Sequence, residues 1–215
     1  MNYWDNFYTK DKDAKLSQPS QFAAFVAGEI SPGSYIIDIG CGNGRDSLFF
    51  SSLEHNVCGI DKSEEAINIC NAITSSKSLK AEFFNSDINN SKVIPNILNN
   101  FCDLNNAKEI IIYSRFFLHT ITEENQHNLL LNIKEISKIK KVSTFFEFRT
   151  EKDSNLPKET KGHYRRYIEP FSFINKAVLI GYSLEYFIEG FGFAKYRNDD
   201  AHVARIILSI NLGDV

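Results

Sequence analysis

The segment IIDIGCGNGR, residues 36–45, constrains the fold more than any other part of the chain. Its apolar, β-branched start has no polar alternation, which predicts a strand buried on both faces. Three glycines then follow at alternate positions, Gly40, Gly42 and Gly44. Glycine is favoured where the backbone takes dihedral angles that a side chain forbids, or where another group approaches the backbone closely. The segment therefore predicts a buried strand that ends in a tight, ligand-binding loop.

The spacing of these glycines disfavours the two common phosphate-binding loops. A P-loop needs the pattern GxxxxGK followed by Ser or Thr, and the chain contains no such run. A dinucleotide-binding loop needs GxGxxG, whose last glycine lets the helix pack on the strand. Arg45 occupies that last position here. A pyrophosphate is therefore a poor fit to the loop.

Strand-like and helix-like segments alternate along most of the chain. Strand patterns cover 34–40, 56–61, 80–88, 107–116, 140–150, 182–196 and 201–211, and helix patterns cover 19–30, 45–54, 63–76, 93–98, 123–139 and 171–181. Alternation of this kind implies crossover connections and a mainly parallel sheet with helices on both faces. The last two strand segments are joined by RNDD without a helix, which predicts an antiparallel hairpin. Ser20 and Ser63 are the expected N-caps of their helices.

Composition narrows the class of protein. The chain has 215 residues, which suits one domain over 1–215. A net charge of −3 disfavours a general nucleic-acid binder. The four cysteines form no CxxC pair, and buried reduced thiols are expected at Cys58 and Cys70. With no apolar run near the roughly 18 residues of a membrane span and no secretory pattern at the N-terminus, we expect a cytoplasmic location.

The pattern Asp-x-Gly-x-Gly-x-Gly, residues 38–44, resembles motif I of the class I S-adenosylmethionine-dependent methyltransferases. The resemblance implies a Rossmann-like α/β fold with a seven-stranded, mostly parallel sheet, and a cofactor without phosphate, whose demethylated product is S-adenosylhomocysteine. Asp38 would attract the cofactor's ammonium group. Asp61, 23 positions later (61 − 38), would accept hydrogen bonds from the ribose hydroxyls. Asp87 and Ile88 match the acidic and apolar pair that meets the adenine.

Extended along the chain, the resemblance predicts a full set of cofactor contacts. They are Asp38, Gly40, Gly42, Gly44, Asp61, Lys62, Asp87, Ile88, Ser114 and Arg115. Residues 1–30 resemble the aromatic leader and first helix that many of these enzymes fold over the cofactor. Trp4 and Tyr8 are the candidate lid residues, and packing against the sheet edge is the alternative.

Three residues are candidates for catalysis, one beyond the fourth predicted strand and two near the end of the fifth. His119 follows the fourth strand and is either a general base or a group that orients the substrate. Glu147 and Arg149 lie two apart on the fifth strand and therefore share a face. They either point into an acceptor cleft or form a solvated ion pair at the strand end, and the sequence leaves both alternatives open. Arg115, in the otherwise apolar run YSRFF, is expected to pair with a substrate anion or with Glu147.

Residues 151–168 occupy the place where this fold often carries a substrate-binding insertion. The run HYRRYI combines a histidine, two arginines and two tyrosines, which suit an anion and a sugar or ring face. A solvated basic loop is the plainer reading. The predicted acceptor contacts are Tyr8, Arg115, His163, Arg165, Arg166 and Tyr167.

The sequence predicts methyl transfer to an oxygen of a small, anionic acceptor or of a glycan or sugar derivative. The residues after the fourth strand read SRFF, without the Pro-Pro-aromatic turn of enzymes that methylate nucleic-acid amino groups or the acid cluster of metal-assisted transfer. Neither a nucleic acid nor a metal is therefore expected. YSRFFLHTI, EFR and HYRRYI together resemble bacterial methyltransferases associated with cell-surface polysaccharides. An N-methyltransferase of a small amine or amino acid, and a non-catalytic cofactor-binding partner subunit, remain as alternatives.

Overall fold

A computed structural model describes residues 3–10, 18–77, 79–101, 107–158, 163–196 and 198–211. The helices in these residues are α1 Tyr3–Lys10, α2 Gln21–Glu29, α3 Arg45–Ser52, α4 Glu64–Lys77, α5 Val93–Phe101, α6 Glu123–Ser137 and α7 Pro170–Ile180. The strands are β1 Tyr35–Ile39, β2 Asn56–Asp61, β3 Ala81–Asn85, β4 Glu109–Arg115, β5 Lys141–Arg149, β6 Ser183–Gly190, β7 Lys195–Tyr196, β8 Asp199–Asp200 and β9 Val203–Ile210. None of the described helices has the length and apolar composition needed to cross a membrane.

Seven strands form one sheet in the order β3-β2-β1-β4-β5-β9-β6. Within the sheet β1 pairs with β2, β2 with β3 and β4 with β5 in parallel, and β9 runs antiparallel to both β5 and β6. The predicted α/β fold with a mostly parallel sheet and a C-terminal antiparallel pair is therefore confirmed. The chain forms two compact units, residues 1–107 and 108–215.

In the first unit the strand before the glycine loop is buried on both faces. Ile36, Ile37 and Ile39 are fully buried, although neighbouring side chains of a strand point to opposite sides. The helix before this strand begins as predicted, because Ser20 Oγ accepts a hydrogen bond from the backbone N–H of Ala23 at 3.0 Å. This fixes the start of α2.

In the second unit the two-stranded tail departs from the predicted plain hairpin. The predicted strand 182–196 ends at Gly190, and the small β7–β8 sheet lies between β6 and β9. Gly192 has φ +81°, a left-handed turn conformation that suits glycine, and its N–H donates to Asp200 Oδ1 at 2.8 Å. The buried Ala194 and Ala201 pack with Val203. The longer connection thus has a small apolar core of its own.

A row of three charged side chains crosses β4, β5 and β9. Arg115, Glu147 and Arg205 lie directly opposite one another in the strand register. Glu147 is fully buried and accepts a hydrogen bond from the Nε–H of each arginine, both at 2.8 Å. We call these three residues the charge ladder. Because each arginine uses a different oxygen of one carboxylate, the ladder ties three strands together.

Loss of the Glu147 carboxylate would leave two partly or fully buried guanidinium groups facing each other. We predict that Glu147→Ala lowers the free energy of unfolding by about 3–5 kcal/mol in chemical denaturation. The control is Glu135→Ala, which removes an exposed ion pair with Lys138 (2.6 Å) in the same unit and should cost less than about 1 kcal/mol. Equal losses in the two variants would contradict a structural role for the ladder.

Candidate active site

The glycine loop after β1 has the backbone that the sequence requires. Gly40, Gly42 and Gly44 have φ values of +75°, +56° and +76°, all in the left-handed region. A Cβ atom on Gly44 would lie 2.7 Å from the Sγ of Cys70, and one on Gly42 would overlap the hydroxyl of Tyr8. The loop therefore excludes side chains for reasons of conformation and of close packing.

Asp61, at the end of β2, fixes the shape of this loop. Its Oδ2 accepts the N–H of Gly42 and its Oδ1 accepts the N–H of Ser63, both at 2.9 Å. Burial raises the pKa of Asp61, and these backbone hydrogen bonds oppose the rise. An ionised carboxylate offers about four acceptor positions, so some acceptor capacity remains beyond these backbone bonds. Asp61 can therefore hold the loop and accept hydrogen bonds from a ligand.

Asp38, on β1, is buried and accepts a hydrogen bond from Ser47 Oγ at 2.5 Å. Burial raises its pKa to about 8, against the lowering effect of the Ser47 bond. The carboxyl group is therefore readily protonated near neutral pH. A cationic ligand group beside it would favour the ionised form and lower the pKa again.

The raised pKa of Asp38 predicts a pH dependence of stability. Between about pH 4 and pH 8 the folded protein binds more protons at this carboxyl group than the unfolded chain does, so the free energy of unfolding falls as the pH rises. Denaturation curves should show that Asp38→Asn loses this part of the slope. Asp87→Asn is the control. Partial burial raises the pKa of Asp87, but the bonds from Lys62 and Asn89 leave it lowered overall, so its slope has the opposite sign.

Helix α1 packs against α4 within the first unit and places Tyr8 on the glycine loop. Asp5 accepts a hydrogen bond from Ser63 Oγ at 2.7 Å, and the rings of Trp4 and Tyr8 stack with centroids 6.3 Å apart. Burial, followed by the charge of Asp61, raises the pKa of Tyr8 well above its usual value. The neutral phenol therefore covers the loop at Gly42. Its predicted contact with the acceptor stays a prediction.

The contact between Tyr8 and Gly42 predicts energetic coupling between them. Gly42→Ala should destabilise the protein both through left-handed strain, about 1–2 kcal/mol, and through the clash with Tyr8. In a Tyr8→Ala background the clash is absent, so the double-mutant cycle should show a coupling of about 0.5–3 kcal/mol. Gly33→Ala is the matched control, because Gly33 has φ +74° but nothing within 4 Å of the added Cβ. Additive effects at Gly42 and Tyr8 would contradict the contact.

The predicted adenine contacts lie near the end of β3. Asp87 forms an exposed ion pair with Lys62 at 2.7 Å, and its Oδ1 accepts the N–H of Asn89 at 3.1 Å. Ile88 is buried. This arrangement leaves the roles of Lys62, Asp87 and Ile88 in cofactor binding as predictions.

In the second unit Phe116 marks the end of β4. It has φ +57°, which is rare for a residue other than glycine, and its N–H donates to the Glu147 carbonyl at 2.8 Å. The guanidinium carbons of Arg115 and Arg149 lie 4.3 and 5.3 Å from the centre of its ring. Ser114, the preceding predicted contact, is fully buried. Strained backbone of this kind clusters at functional sites.

Arg149, at the end of β5, is held by two acids that were not predicted from the sequence. It donates to Asp153 at 2.7 Å and to Asp199 through both terminal nitrogens, at 3.3 and 2.5 Å. Lys158 also reaches Asp153, at 3.1 Å. Glu147 and Arg149 thus both belong to buried ion networks with other partners, and they do not form a solvated ion pair with each other. Their catalytic roles stay predictions.

His119 lies in a short 3₁₀ turn, residues 118–120, and is buried. Its Nδ1 accepts the backbone N–H of Arg149 at 3.3 Å, and its ring meets that of Phe116 edge to face. Burial, and then the positive charges of Arg149 and Arg165, lower its pKa well below the usual value. The imidazole is therefore neutral at physiological pH.

The predicted basic cluster divides into residues with different surroundings. Arg166 donates to the Ile121 carbonyl at 3.4 Å and to the side chain of Gln126, so it anchors its segment to the turn before α6. Arg165 contacts His163 Nε2 at 2.9 Å. The ring of Tyr167 lies under Lys158 Nζ, 5.4 Å from the ring centre. Residues 159–162 of the predicted insertion, and Cys102, lie outside the described residues.

The sheet order, the glycine loop and the acids at the strand ends together define a class I methyltransferase fold. Three solved structures share it. A TehB-like SAM-dependent methyltransferase from Corynebacterium glutamicum is 16% identical, with a TM-score of 0.65 over 96% of this chain and 97% of that one. TehB from Haemophilus influenzae is 17% identical, with a TM-score of 0.64 over 97% of this chain and 67% of that one. A SAM-dependent methyltransferase from Anabaena variabilis is 16% identical, with a TM-score of 0.68 over 97% of this chain and 93% of that one. At these identities the likeness shows the fold alone.

Residues 4–140 match the family described as "Tellurite resistance protein TehB". Because this match covers more than half of the sequence, the chain belongs to the TehB family and is a SAM-dependent methyltransferase. A search of curated proteins gave no match. Among the described residues no group of three or more His, Cys, Asp or Glu side chains is placed to hold a metal ion.

Proposed function

We propose that this enzyme transfers the methyl group of S-adenosylmethionine to a small anionic acceptor. Residues of the first unit bind the cofactor, and residues around His119 in the second unit bind the acceptor. The positive charges of Arg149, Arg165 and Arg115, which lower the pKa of the buried His119, are the observation that carries the anionic assignment. Membership of the TehB family supports the cofactor.

The first unit fits S-adenosylmethionine better than it fits a diphosphate. The ligand carries an ammonium and a sulfonium group, and Asp38 and Asp61 supply carboxyl groups on either side of the glycine loop. The three glycines take the left-handed backbone that a tight loop of this kind requires. When bound, the cofactor supplies an electrophilic methyl group on sulfur. The chain's own task is to hold cofactor and acceptor in a reactive orientation.

In the second unit, several cations lie around the proposed acceptor site. Arg115, Arg149, Lys158 and Arg205 pair with Glu147, Asp153 and Asp199. Arg115, Arg149 and Arg165 also place positive charge close enough to His119 to lower its pKa. Positive charge that keeps His119 neutral also favours an anionic ligand beside it. This supports an acid as the acceptor.

The methylated atom can be an oxygen or a nitrogen, and the two choices imply different acceptor molecules. The sequence favours an oxygen of an anionic molecule or sugar derivative. Nothing in the family or in the structures compared above supports the polysaccharide subtype, so that placement stays a prediction. The amine alternative fits the second unit less well, because an ammonium group would be repelled there. Incubation with methyl-labelled cofactor and fractionated small molecules, followed by identification of the labelled product, would decide between them.

Cofactor binding provides the direct test of the first unit. We predict that Asp61→Ala weakens binding of S-adenosylhomocysteine by about tenfold or more in calorimetry, because the carboxylate both shapes the loop and accepts from the ligand. Glu64→Ala, three residues away at the exposed start of α4, is the control and should bind as the wild type does. An unchanged dissociation constant in Asp61→Ala would remove the assignment of Asp61 to cofactor binding. Absence of binding to the wild type would refute the proposed function.

A further inference from the structure

We propose that the acceptor is methylated on an atom that already carries a negative charge, and that His119 holds this atom by donating a hydrogen bond from Nε2. This inference rests on the proposed function and narrows it. A lone pair of the acceptor anion forms the bond to the methyl carbon while the carbon–sulfur bond breaks and its electron pair stays on sulfur. The anion and the sulfonium become two neutral groups, and no proton is transferred to the protein.

The hydrogen bonds of His119 decide which nitrogen carries its proton. A neutral imidazole has one N–H and one acceptor nitrogen. Because Nδ1 accepts the backbone N–H of Arg149 at 3.3 Å, the proton of the neutral ring is on Nε2. The carbonyl of the same histidine accepts the N–H of Arg166 at 2.7 Å, which also fixes the turn. His119 therefore presents a donor to the acceptor and has no second lone pair with which to act as a base.

The charges that face His119 act in the same direction. Arg115 on β4, Arg149 on β5, and His163 and Arg165 on the following segment all disfavour an imidazolium ion. His163 is itself neutral, because burial and Arg165 lower its pKa to about 4. The acids of this region, Glu147, Asp153 and Asp199, are each bound to arginines. The field that opposes a proton on Nδ1 favours an anion at Nε2.

The ladder and Phe116 show why removal of a proton by His119 would be costly. To accept a proton, Nδ1 would have to leave the N–H of Arg149. Only one residue, Phe148, separates Arg149 from the ladder residue Glu147. The ring is also packed against Phe116, with centroids 5.5 Å apart. An unpaired buried N–H costs about 1–3 kcal/mol. The arrangement is built for one tautomer.

This geometry selects the chemical class of the acceptor. A carboxylic acid or a thiol ionises near or below physiological pH, with usual pKa values of about 4 and about 8.5, and a positive site lowers them further. A sugar hydroxyl stays protonated and would need a base. The inference therefore favours an ionised acid, with carboxylate oxygen and thiolate sulfur as the two forms to be distinguished, over a sugar hydroxyl.

The tautomer can be measured on the complete protein loaded with S-adenosylhomocysteine. In protein with ¹⁵N-labelled histidine, we expect nuclear magnetic resonance to show His119 as the Nε2–H tautomer and without titration between pH 5.5 and pH 8. His127, exposed on α6, supplies the internal reference resonance. A His119 that titrates in this range, or that carries its proton on Nδ1, would overturn the proposal.

Binding of small probes tests the preference for an anion. Acetate and thioacetate are ionised carriers of oxygen and sulfur, and acetamide is their neutral match. We expect at least one anion to shift the Nε2–H resonance of His119 and acetamide not to shift it, and the tighter anion identifies the preferred atom. Equal effects of acetamide, or no effect of either anion, would refute the inference. The proposed function would still stand if S-adenosylhomocysteine binds in the same sample.

Two substitutions separate hydrogen-bond donation from base catalysis. The amide of His119→Gln can donate in place of Nε2–H, so anion binding should remain within about tenfold of wild type. His119→Glu supplies a potential base and no donor when ionised, and should lose anion binding. Calorimetry with the probe anions measures both. Binding retained by His119→Glu and lost by His119→Gln would contradict the proposed role, and resonance data on the wild type are independent of how either variant folds.

Discussion

The buried carboxylate of Glu147 is the interaction on which the second unit depends. A single charged group of this size is costly to bury alone, and it is stable here because Arg115 and Arg205 each occupy one of its oxygens. The same residue's carbonyl accepts the N–H of Phe116 and so stabilises a left-handed residue at the end of β4. The turn that carries His119 starts directly after this point. The ladder therefore fixes the end of β4, from which the turn that carries His119 continues.

In the first unit, too, buried or partly buried carboxyl groups are bound by groups of the protein itself. Asp61 accepts the N–H of Gly42 in the glycine loop through one oxygen and that of Ser63 through the other, and Asp38 is bound to Ser47. These carboxyl groups have structural partners as well as a proposed ligand. A carboxylate with spare lone pairs can serve both purposes, because backbone N–H groups occupy only part of its acceptor capacity. Substitution of such an acid changes the loop and the ligand contact together, which is why a nearby exposed acid is needed as a control.

The helices, the strands and the parallel or antiparallel direction of the strands could be predicted from the sequence, because they depend on local patterns. The β-branched run before Gly40, the N-cap at Ser20 and the absence of a helix between the last two strands are all readable from neighbouring residues. Asp153, Asp199 and Arg205 were not predicted, since their partners lie on other strands and pairing across strands depends on register. The available signal was Arg115 in the apolar run YSRFF, because a buried cation requires a partner, and Glu147 was one of the two that were expected. The structure shows that pair and adds Arg205 to it.

The role of His119 shows how a local contact decides between chemical functions. From the sequence a general base and an orienting group were both reasonable, because histidine serves as either near neutral pH. The distinction depends on one hydrogen bond, from the backbone of Arg149 to Nδ1, and on the sign of the charges around the ring. Neither follows from residue type. If the acceptor arrives as an anion, the protein needs no base. The arginines around His119 would then help to select an ionised acid as the acceptor.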